Sequence, residues 1–519
     1  MADQPQTTRP ETIETLLARG HAKAPAIGAT HEASAPPRPP LTYAALRKLA
    51  GSTVASLNAM GIGRGDRVAL VLPNGPEAAS TFVTVACGAT TAPLNPAYRA
   101  DEFAFYLDDL GAKALLVARG VDSPARAVAA ERGIPVVEVV PGEEAGSFTL
   151  APEKPLAGRP ARAGIAGPDD IALVLHTSGT TARPKIVPLS HRNVAASATH
   201  IGASLALTPE DACLNIMPLF HIHGLIAAVL SSLGAGASVV CSPGFNAFRF
   251  FAWFNATRPS WYTAVPTMHQ AILPLAGRNR ETISSGRLRL IRSSSSSLPP
   301  QVMEELERTF GVPVIEAYGM TEAAHQMASN PLPPHARFAG SVGRAAGPEV
   351  AIMDDEGNIL PPGELGEVVI RGPNVTAGYD NNPDANAKAF TNGWFRTGDQ
   401  GTLDEHGYLR LTGRLKEIIN RGGEKVSPLE VDAVLMDHPA VAQVVTFAMP
   451  HDKLGEEVAA AVVLREGQTL EEAALREFAA QRLAAFKVPR RILFMPEIPK
   501  GATGKLQRIG LAAKLGLTA

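Results

Sequence analysis

Short apolar runs alternate with longer amphipathic stretches along most of the chain. Runs that are almost wholly apolar are typical of strands buried on both faces of a parallel sheet, and they occur at residues 68–72, 113–117, 134–137 and 171–175. The stretches at 43–60 and 77–86 have the length and spacing of helices. This alternation predicts a layered α/β architecture with largely parallel sheets.

The pattern changes in the last third of the chain. Residues 364–371 and 407–414 are short strand-like runs bounded by Gly and Asp, which indicate a small β-rich subdomain. The remainder of the chain has a pattern of its own, with strands at 441–448 and 458–464 and a helix at 470–483.

A chain of 519 residues is too long for one hydrophobic core. We therefore expect a large N-terminal domain at residues 1–413, made of layered α/β subdomains plus the β-rich subdomain. A small, mobile α+β domain is expected at residues 414–519.

Composition and charge exclude several classes of partner. Lys plus Arg (48) nearly equals Asp plus Glu (50), so the net charge of −2 gives no reason to expect nucleic acid or an anionic membrane. The longest apolar run, 225–241, is punctuated by Ser and Gly and is too short to span a bilayer. We interpret it as a buried helix followed by a strand. Three widely spaced cysteines and an N-terminus without signal-peptide character fit a cytoplasmic protein.

A candidate phosphate-binding loop follows the strand predicted at 171–175. Residues 176–185 read HTSGTTARPK. Small residues and a glycine let backbone N–H groups approach an anion, hydroxyl groups donate to phosphate oxygens, and the lysine adds positive charge. The residues with these properties are Thr177, Ser178, Gly179, Thr180, Thr181 and Lys185. The Walker A spacing is absent, which disfavours a kinase or P-loop ATPase, and a plain polar loop is the alternative.

The loop resembles the signature of the acyl-adenylate-forming superfamily, which includes acyl-CoA synthetases, luciferases and the adenylation domains of peptide synthetases. Ala182 and Ile186 stand where glycines are usual, and the Cβ of Ile186 restricts the backbone after Lys185. Four more segments follow in the superfamily's order: EAYGMTE at 316–322, WFRTGD at 394–399, GRLKEIINRGG at 413–423 and GATGK at 501–505. Each alone is also typical of a helix cap, a turn or a solvated lysine, but five in order are specific.

The resemblance implies an enzyme that uses ATP, Mg²⁺ and coenzyme A to activate a carboxylic acid as its acyl-adenylate and pass it to the CoA thiol. It implies catalytic roles for Lys185 and Lys505, and it assigns Glu322 to Mg²⁺. The remaining implied residues are Ala317 and Tyr318 at the adenine, Thr321 at the α-phosphate, Asp399 at the ribose, Arg414 at the ribose or phosphate, Lys416 as the hinge of the C-terminal domain, and Gly422 and Gly423 beside the thiol tunnel.

The residues expected around the acid are polar, whereas pockets for fatty or aryl acids are lined by apolar side chains. The resemblance implies that His221 gates or orients substrates, and we count it among the catalytic residues. The residues predicted to bind the acid are His223, Ser295 and His325. Such donors suit a small acid with a second anionic end.

Three stretches of the chain, 261–270, 317–333 and 420–428, resemble the oxalate–CoA ligases within the superfamily. This resemblance implies a small carboxylic acid, with oxalate favoured. Ser294, Ser296 and Gly319 depart from that group, since Cys, Ala and Ala are expected there.

Other interpretations stay open. A medium- or long-chain fatty-acyl-CoA synthetase and a ligase for another small dicarboxylate, such as malonate, share every nucleotide motif. A stand-alone adenylation domain that loads a carrier protein belongs to a different class. A non-catalytic nucleotide-binding regulator is disfavoured, because Lys505 and Glu322 are both present. His223 and His325 are also explained as buried core histidines, and the sequence places no third ligand nearby for a metal.

Overall fold

A computed structural model describes residues 11–31, 36–177, 184–501 and 505–517. The strands in these residues form four sheets, of which two are large and mostly parallel and two are smaller.

One large sheet contains seven of the described strands, in the spatial order Phe148–Pro152, Val136–Pro141, Ala114–Ala118, Arg67–Val71, Thr90–Pro93, Ile171–His176 and Ile186–Ser190. The inner strands are parallel and the two edge strands are antiparallel. Parallel strands are buried on both faces, which is why they appear in the sequence as continuous apolar runs. The strands predicted from those runs are confirmed, with some of their ends shifted.

The second large sheet contains nine of the described strands, in the order Arg344–Ala345, His325–Ser329, Val314–Met320, Leu290–Ser294, Trp261–Ala264, Ala212–Asn215, Ser238–Cys241, Pro25–Ala29 and Leu41–Thr42. The strands from Val314–Met320 to Pro25–Ala29 are parallel. In open α/β sheets ligands bind outside the carboxyl ends of such strands. Ser295 and Thr321 directly follow two of these ends.

Helices pack against these sheets and against one another. Their bounds are Ile13–Leu17, Tyr43–Ala59, Pro76–Ala86, Ala100–Leu110, Pro124–Glu131, His191–Ser204, Ser231–Gly234, Ala247–Thr257, Pro266–Ala276, Arg280–Ser284 and Pro300–Phe310, with 3₁₀ turns at Gly277–Asn279 and Thr321–Ala323. Local signals explain the two predicted helices: the Thr42 side chain accepts the N–H of Ala45 at one start, and Pro76 occupies the first turn of the other.

The apolar run 225–241 forms a helix and then a strand, as predicted. Its first part lies in the π-helix His223–Leu230, which continues into the helix Ser231–Gly234 and is followed by the strand Ser238–Cys241. π-Helical turns are rare and occur preferentially at functional sites. None of the described helices has the length and hydropathy needed to cross a membrane.

The two smaller sheets belong to the last third of the chain. The antiparallel sheet is built from Glu349–Met353, Gly366–Arg371, Phe390–Thr391, Trp394–Leu403 and Leu409–Arg414, with the helix Pro383–Ala389. The C-terminal sheet is built from Ile419–Arg421, Glu424–Val426, Val441–His451, Gly455–Leu464 and Arg491–Phe494, with the helices Pro428–Met436, Glu472–Ala480 and Leu511–Lys514 and a 3₁₀ turn at Ala485–Lys487.

The chain leaves the antiparallel sheet at Arg414 and enters the C-terminal sheet at Ile419. An apolar cluster that contains Leu214 and Ile272 also contains Val444, so the C-terminal sheet packs on the larger part of the molecule. The amide nitrogen of Gln270 adds a hydrogen bond to the Ala442 carbonyl at 3.2 Å. The mixed α/β fold with a small C-terminal domain is therefore confirmed, while the boundary after residue 413 stays a prediction.

Candidate active site

The ends of the predicted phosphate loop are held together at the carboxyl end of the strand Ile171–His176. The Thr177 N–H donates to the Lys185 carbonyl at 2.9 Å, and the Lys185 N–H donates to the Thr177 hydroxyl at 3.1 Å. The other predicted loop residues, Ser178, Gly179, Thr180 and Thr181, lie outside the described residues.

Tyr379 joins Lys185 to Glu322. The Lys185 ammonium lies 4.3 Å from the centre of the Tyr379 ring, and the Tyr379 hydroxyl donates to Glu322 Oε1 at 2.9 Å. Asn386 anchors the Tyr379 backbone, because its side chain accepts the Tyr379 N–H at 2.7 Å and donates to the Tyr379 carbonyl at 2.8 Å. The sequence pattern does not predict a functional role for Tyr379. The residue lies in a turn-rich segment that has no residue type typical of catalysis.

Glu322 lies in a single 3₁₀ turn that follows the strand Val314–Met320. Its side chain is almost completely buried, and burial raises the pKa of the carboxyl, although the Tyr379 hydroxyl and the nearby charges of Arg414 and Lys185 oppose this effect. In the described part of the chain no three His, Cys, Asp or Glu residues are grouped to hold a metal. One carboxylate nevertheless fits Mg²⁺, which keeps waters and binds through one or two carboxylates plus substrate phosphates.

The predicted adenine and ribose residues converge on Asp399. Tyr318 donates its hydroxyl to the Asp399 carboxylate, and Arg414 Nε lies 3.3 Å from Asp399 Oδ1. Asp399 and Arg414 are paired in register on neighbouring antiparallel strands, which explains the contact. Ala317 is buried next to Tyr318, and its carbonyl accepts the Ser294 hydroxyl at 2.8 Å.

Lys505 brings a cation from the C-terminal segment into the same site. Burial lowers the pKa of Lys505 to about 8; the neighbouring Arg414 also lowers it and Asp399 raises it. Burial and the Lys505 ammonium lower the pKa of His221 to about 3, so the imidazole is neutral. The lysine from the last predicted motif is thus near enough to interact electrostatically with Asp399 and Arg414, the predicted ribose residues, and with His221.

Three other predicted residues lie in connecting segments. Lys416 is exposed between the antiparallel sheet and the C-terminal sheet. Gly422 and Gly423 form the turn between the strands Ile419–Arg421 and Glu424–Val426, with φ of 59° and 97°. Two consecutive positive φ angles are characteristic of a type I′ hairpin turn, which favours glycine.

The predicted acid-pocket residues form one cluster. The rings of His223 and His325 stack with centroids 4.9 Å apart. His223 Nδ1 lies 3.0 Å from the Ser295 hydroxyl, and His223 Nε2 lies 2.6 Å from the Thr263 hydroxyl. His221 adjoins this cluster, since its Nδ1 accepts the His223 N–H at 3.3 Å. Thr263, which the sequence pattern does not single out, is recognisable only through this contact.

His325 presents an unsatisfied donor or acceptor. The residue is buried, and its Nε2 has no hydrogen-bond partner among the described residues. Burial and the nearby Arg292 charge lower the pKa of His325 well below its usual value, so the ring is neutral. A buried nitrogen without a partner is costly and points to a ligand that completes it.

Left-handed backbone is concentrated at the acid cluster. Ser295, Ala324 and His325 have φ of 76°, 48° and 100°. Such conformations are unfavourable for residues with a Cβ and accumulate at functional sites. The turn also explains Gly319, because a Cβ there would lie 1.8 Å from the His325 carbonyl oxygen.

The site therefore combines cations from distant parts of the chain with two buried carboxylates, Glu322 and Asp399, and a polar pocket. Lys185, Arg414 and Lys505 suit a polyphosphate, and the histidine cluster suits a small polar acid.

The sequence matches known families over most of its length. Residues 18–380 match the AMP-binding enzyme family, and residues 430–505 match the AMP-binding enzyme C-terminal domain. The chain belongs to the AMP-binding enzyme family. It is an ATP-dependent acid–CoA ligase.

Among its relatives are two enzymes named oxalate–CoA ligase. The one from Arabidopsis thaliana is 48% identical over 90% of this chain and 92% of its own length. The one from Saccharomyces cerevisiae is 43% identical over 86% of each chain. Among solved structures, ATP-bound MatB from Rhodopseudomonas palustris matches with a TM-score of 0.84 and 30% identity, over 96% of this chain and 97% of that one.

Proposed function

We propose that the enzyme joins oxalate to coenzyme A, with oxalyl-AMP as the intermediate. The observation that carries the proposal is the acid cluster, where His223 stacks on His325 and contacts the hydroxyls of Ser295 and Thr263. A fatty tail in this pocket would leave His325 Nε2, which has no hydrogen-bond partner among the described residues, unsatisfied at a cost of roughly 1–3 kcal/mol. The two relatives named oxalate–CoA ligase support the same acid.

In the first half-reaction a carboxylate oxygen of oxalate attacks the α-phosphorus of ATP. The P–O bond to the β-phosphate breaks, pyrophosphate leaves, and the acid becomes a mixed anhydride with AMP. Two anions must meet, so positive charge is needed where negative charge develops. Lys185, in the region that matches the AMP-binding family, and Lys505, near the C-terminus, supply it, and Thr321 binds the α-phosphate. Mg²⁺ bound through Glu322 and the ATP phosphates would add charge compensation.

The nucleoside is held on the other side of the site. Asp399 accepts hydrogen bonds from the ribose hydroxyls once Tyr318 turns toward the adenine, and Arg414 pairs with Asp399 and a phosphate. Thr177, Ser178, Gly179, Thr180 and Thr181 bind the β- and γ-phosphates.

In the second half-reaction the CoA thiol attacks the oxalyl carbonyl and AMP leaves. Lys505 is not needed for this step, so the C-terminal domain rotates about Lys416 between the two half-reactions. The rotation moves the turn at Gly422 and Gly423 toward the thiol, and His221 orients the acyl group.

Pyrophosphate release with ATP and Mg²⁺ tests the proposal when oxalate, malonate, acetate and octanoate are compared in parallel, followed by detection of the CoA thioester. We expect the highest kcat/KM with oxalate, near-background rates with acetate and octanoate, and no turnover after Mg²⁺ is chelated. Turnover of octanoate without turnover of oxalate would remove the proposal. Adenylate that accumulates without transfer to CoA would indicate a carrier-loading adenylation domain instead.

A further inference from the structure

Arg292 is a buried cation at the acid cluster with unused hydrogen-bond donors. It lies in the strand Leu290–Ser294 and is fully buried. Its Nη2 donates to Gln326 Oε1 at 3.3 Å, but Nε and Nη1 have no partner among the described residues. A guanidinium carries five N–H donors, so most of its capacity is free.

No ion pair in the described part of the chain includes Arg292, so no carboxylate compensates its charge there. The nearest candidate on the neighbouring strand is Glu316, which is paired in register with Ser293, whereas Arg292 is paired with Ile315. Successive side chains point to opposite faces of a sheet, so Glu316 and Arg292 are separated by the sheet. Burial lowers the pKa of Arg292 only to about 9, so the charge persists at neutral pH.

The histidines near Arg292 do not supply charge of their own. Burial and the Arg292 charge lower the pKa of both His223 and His325 well below the usual value. Thr263, which lies in register beside Arg292 and therefore faces the same side of the sheet, contacts His223 at 2.6 Å, so Arg292 and the histidine layer lie on one face of the sheet. Arg292 therefore supplies positive potential within the acid cluster, in addition to that of the Lys505 ammonium.

A buried charge without a counter-ion is unfavourable, and an anion that enters the pocket relieves this cost. The carboxylate that reacts is drawn toward Lys505 and the ATP α-phosphate, so it does not neutralise Arg292. A second anionic group on the acid does.

We infer that Arg292 is a specificity-determining residue, which selects acids with a second carboxylate by holding uncompensated positive charge on the same face of the sheet as His223 and His325. The inference deepens the proposed function and rests on it. Arg292 acts through the histidine layer, and it also excludes neutral acid tails, which would leave its charge unpaired.

The test compares oxalate with oxamate, which has nearly the same shape but carries an amide in place of the second carboxylate. The readout is the ratio of kcat/KM for oxalate to kcat/KM for oxamate in pyrophosphate release. We expect the wild-type enzyme to favour oxalate by about a hundredfold or more, Arg292→Met to lose about a hundredfold of that ratio, and Arg292→Lys to retain most of it. The loss should appear mainly in KM for the acid, with KM for ATP unchanged.

Arg289→Met is the matched control. Arg289 precedes the same strand, and its charge is compensated by Asp211, with Nε 2.7 Å from Oδ1. This variant is expected to lose stability but to keep the oxalate-to-oxamate ratio, which separates a folding defect from a change of specificity.

Two results would overturn the inference. One is a wild-type enzyme that uses oxamate as well as oxalate, which needs no variant to fold. The other is an unchanged ratio in Arg292→Met or an Arg292→Lys ratio as low as that of Arg292→Met. Failure of the proposed function looks different, because the wild-type enzyme then prefers another acid. If that acid is a dicarboxylate, the ratio is measured with it and its half-amide; preference for a monocarboxylic acid would overturn the inference as well.

Discussion

Tyr379 offers the sharpest test of the nucleotide site, because one side chain contacts two residues with proposed catalytic roles. Tyr379→Phe removes the hydroxyl that donates to Glu322 Oε1 at 2.9 Å and keeps the ring that lies 4.3 Å from the Lys185 ammonium. Tyr379→Leu removes both contacts.

The magnitude follows from the kind of contact that is lost. A hydrogen bond to a charged, buried group contributes about 1.5–3 kcal/mol, and 1.4 kcal/mol corresponds to a factor of ten. Tyr379→Phe should therefore lower kcat/KM for ATP by roughly 10- to 100-fold and raise the Mg²⁺ concentration needed for half-maximal rate. Tyr379→Leu should lose about a further twofold to 30-fold, because a cation–π contact contributes about 0.5–2 kcal/mol.

The assay is pyrophosphate exchange at varied ATP and Mg²⁺, together with thioester formation from pre-made acyl-AMP and CoA. The second reaction should be unaffected. Tyr408→Phe is the matched control, since the Tyr408 hydroxyl donates to the Ala336 carbonyl at 2.7 Å in the antiparallel sheet region, away from Glu322. Wild-type ATP and Mg²⁺ dependence in Tyr379→Phe, or an equal loss in both half-reactions, would refute the reasoning.

Three further predictions concern Lys505 and His325. Lys505→Ala should abolish adenylation but spare thioester formation from pre-made acyl-AMP, and similar losses in both reactions would contradict its assigned step. Because burial lowers the pKa of Lys505 to about 8, the ammonium is present below that pH and lost above it. Adenylation kcat/KM should fall as pH rises through 8, whereas Lys505→Arg should give a flat profile there, and a wild-type profile that is flat to pH 9.5 would argue against the role. His325→Ala should raise KM for oxalate at least about tenfold and leave KM for ATP within twofold; a change confined to ATP would place His325 elsewhere.

The fold could be predicted from local patterns, because parallel strands that are buried on both faces appear in the sequence as continuous apolar runs. The run at 171–175 predicts the strand Ile171–His176, and the run at 225–241 predicts a helix and a strand. The π-helical geometry at His223 could not be predicted from the sequence, because the same apolar residues suit an ordinary buried helix.

The order of strands in the sheets could not be predicted from the sequence either. Leu290–Ser294 lies between Trp261–Ala264 and Val314–Met320, and this placement puts Thr263 next to Arg292. Strand order depends on how whole sheets pack, and apolar runs of similar composition do not specify their neighbours.

By itself, the sequence determines which chemistry this protein can perform, because each nucleotide motif is local and its loop carries the needed residue types within a few positions. Only the tertiary structure decides which residues of different motifs are in contact. Tyr379 reaches Glu322 across 57 residues of chain, His223 meets Ser295 across 72, and Arg292 has no counter-charge among the described residues. The physical reason is that hydrogen bonding, burial and charge compensation depend on distances in space, which residue type and spacing along the chain do not encode.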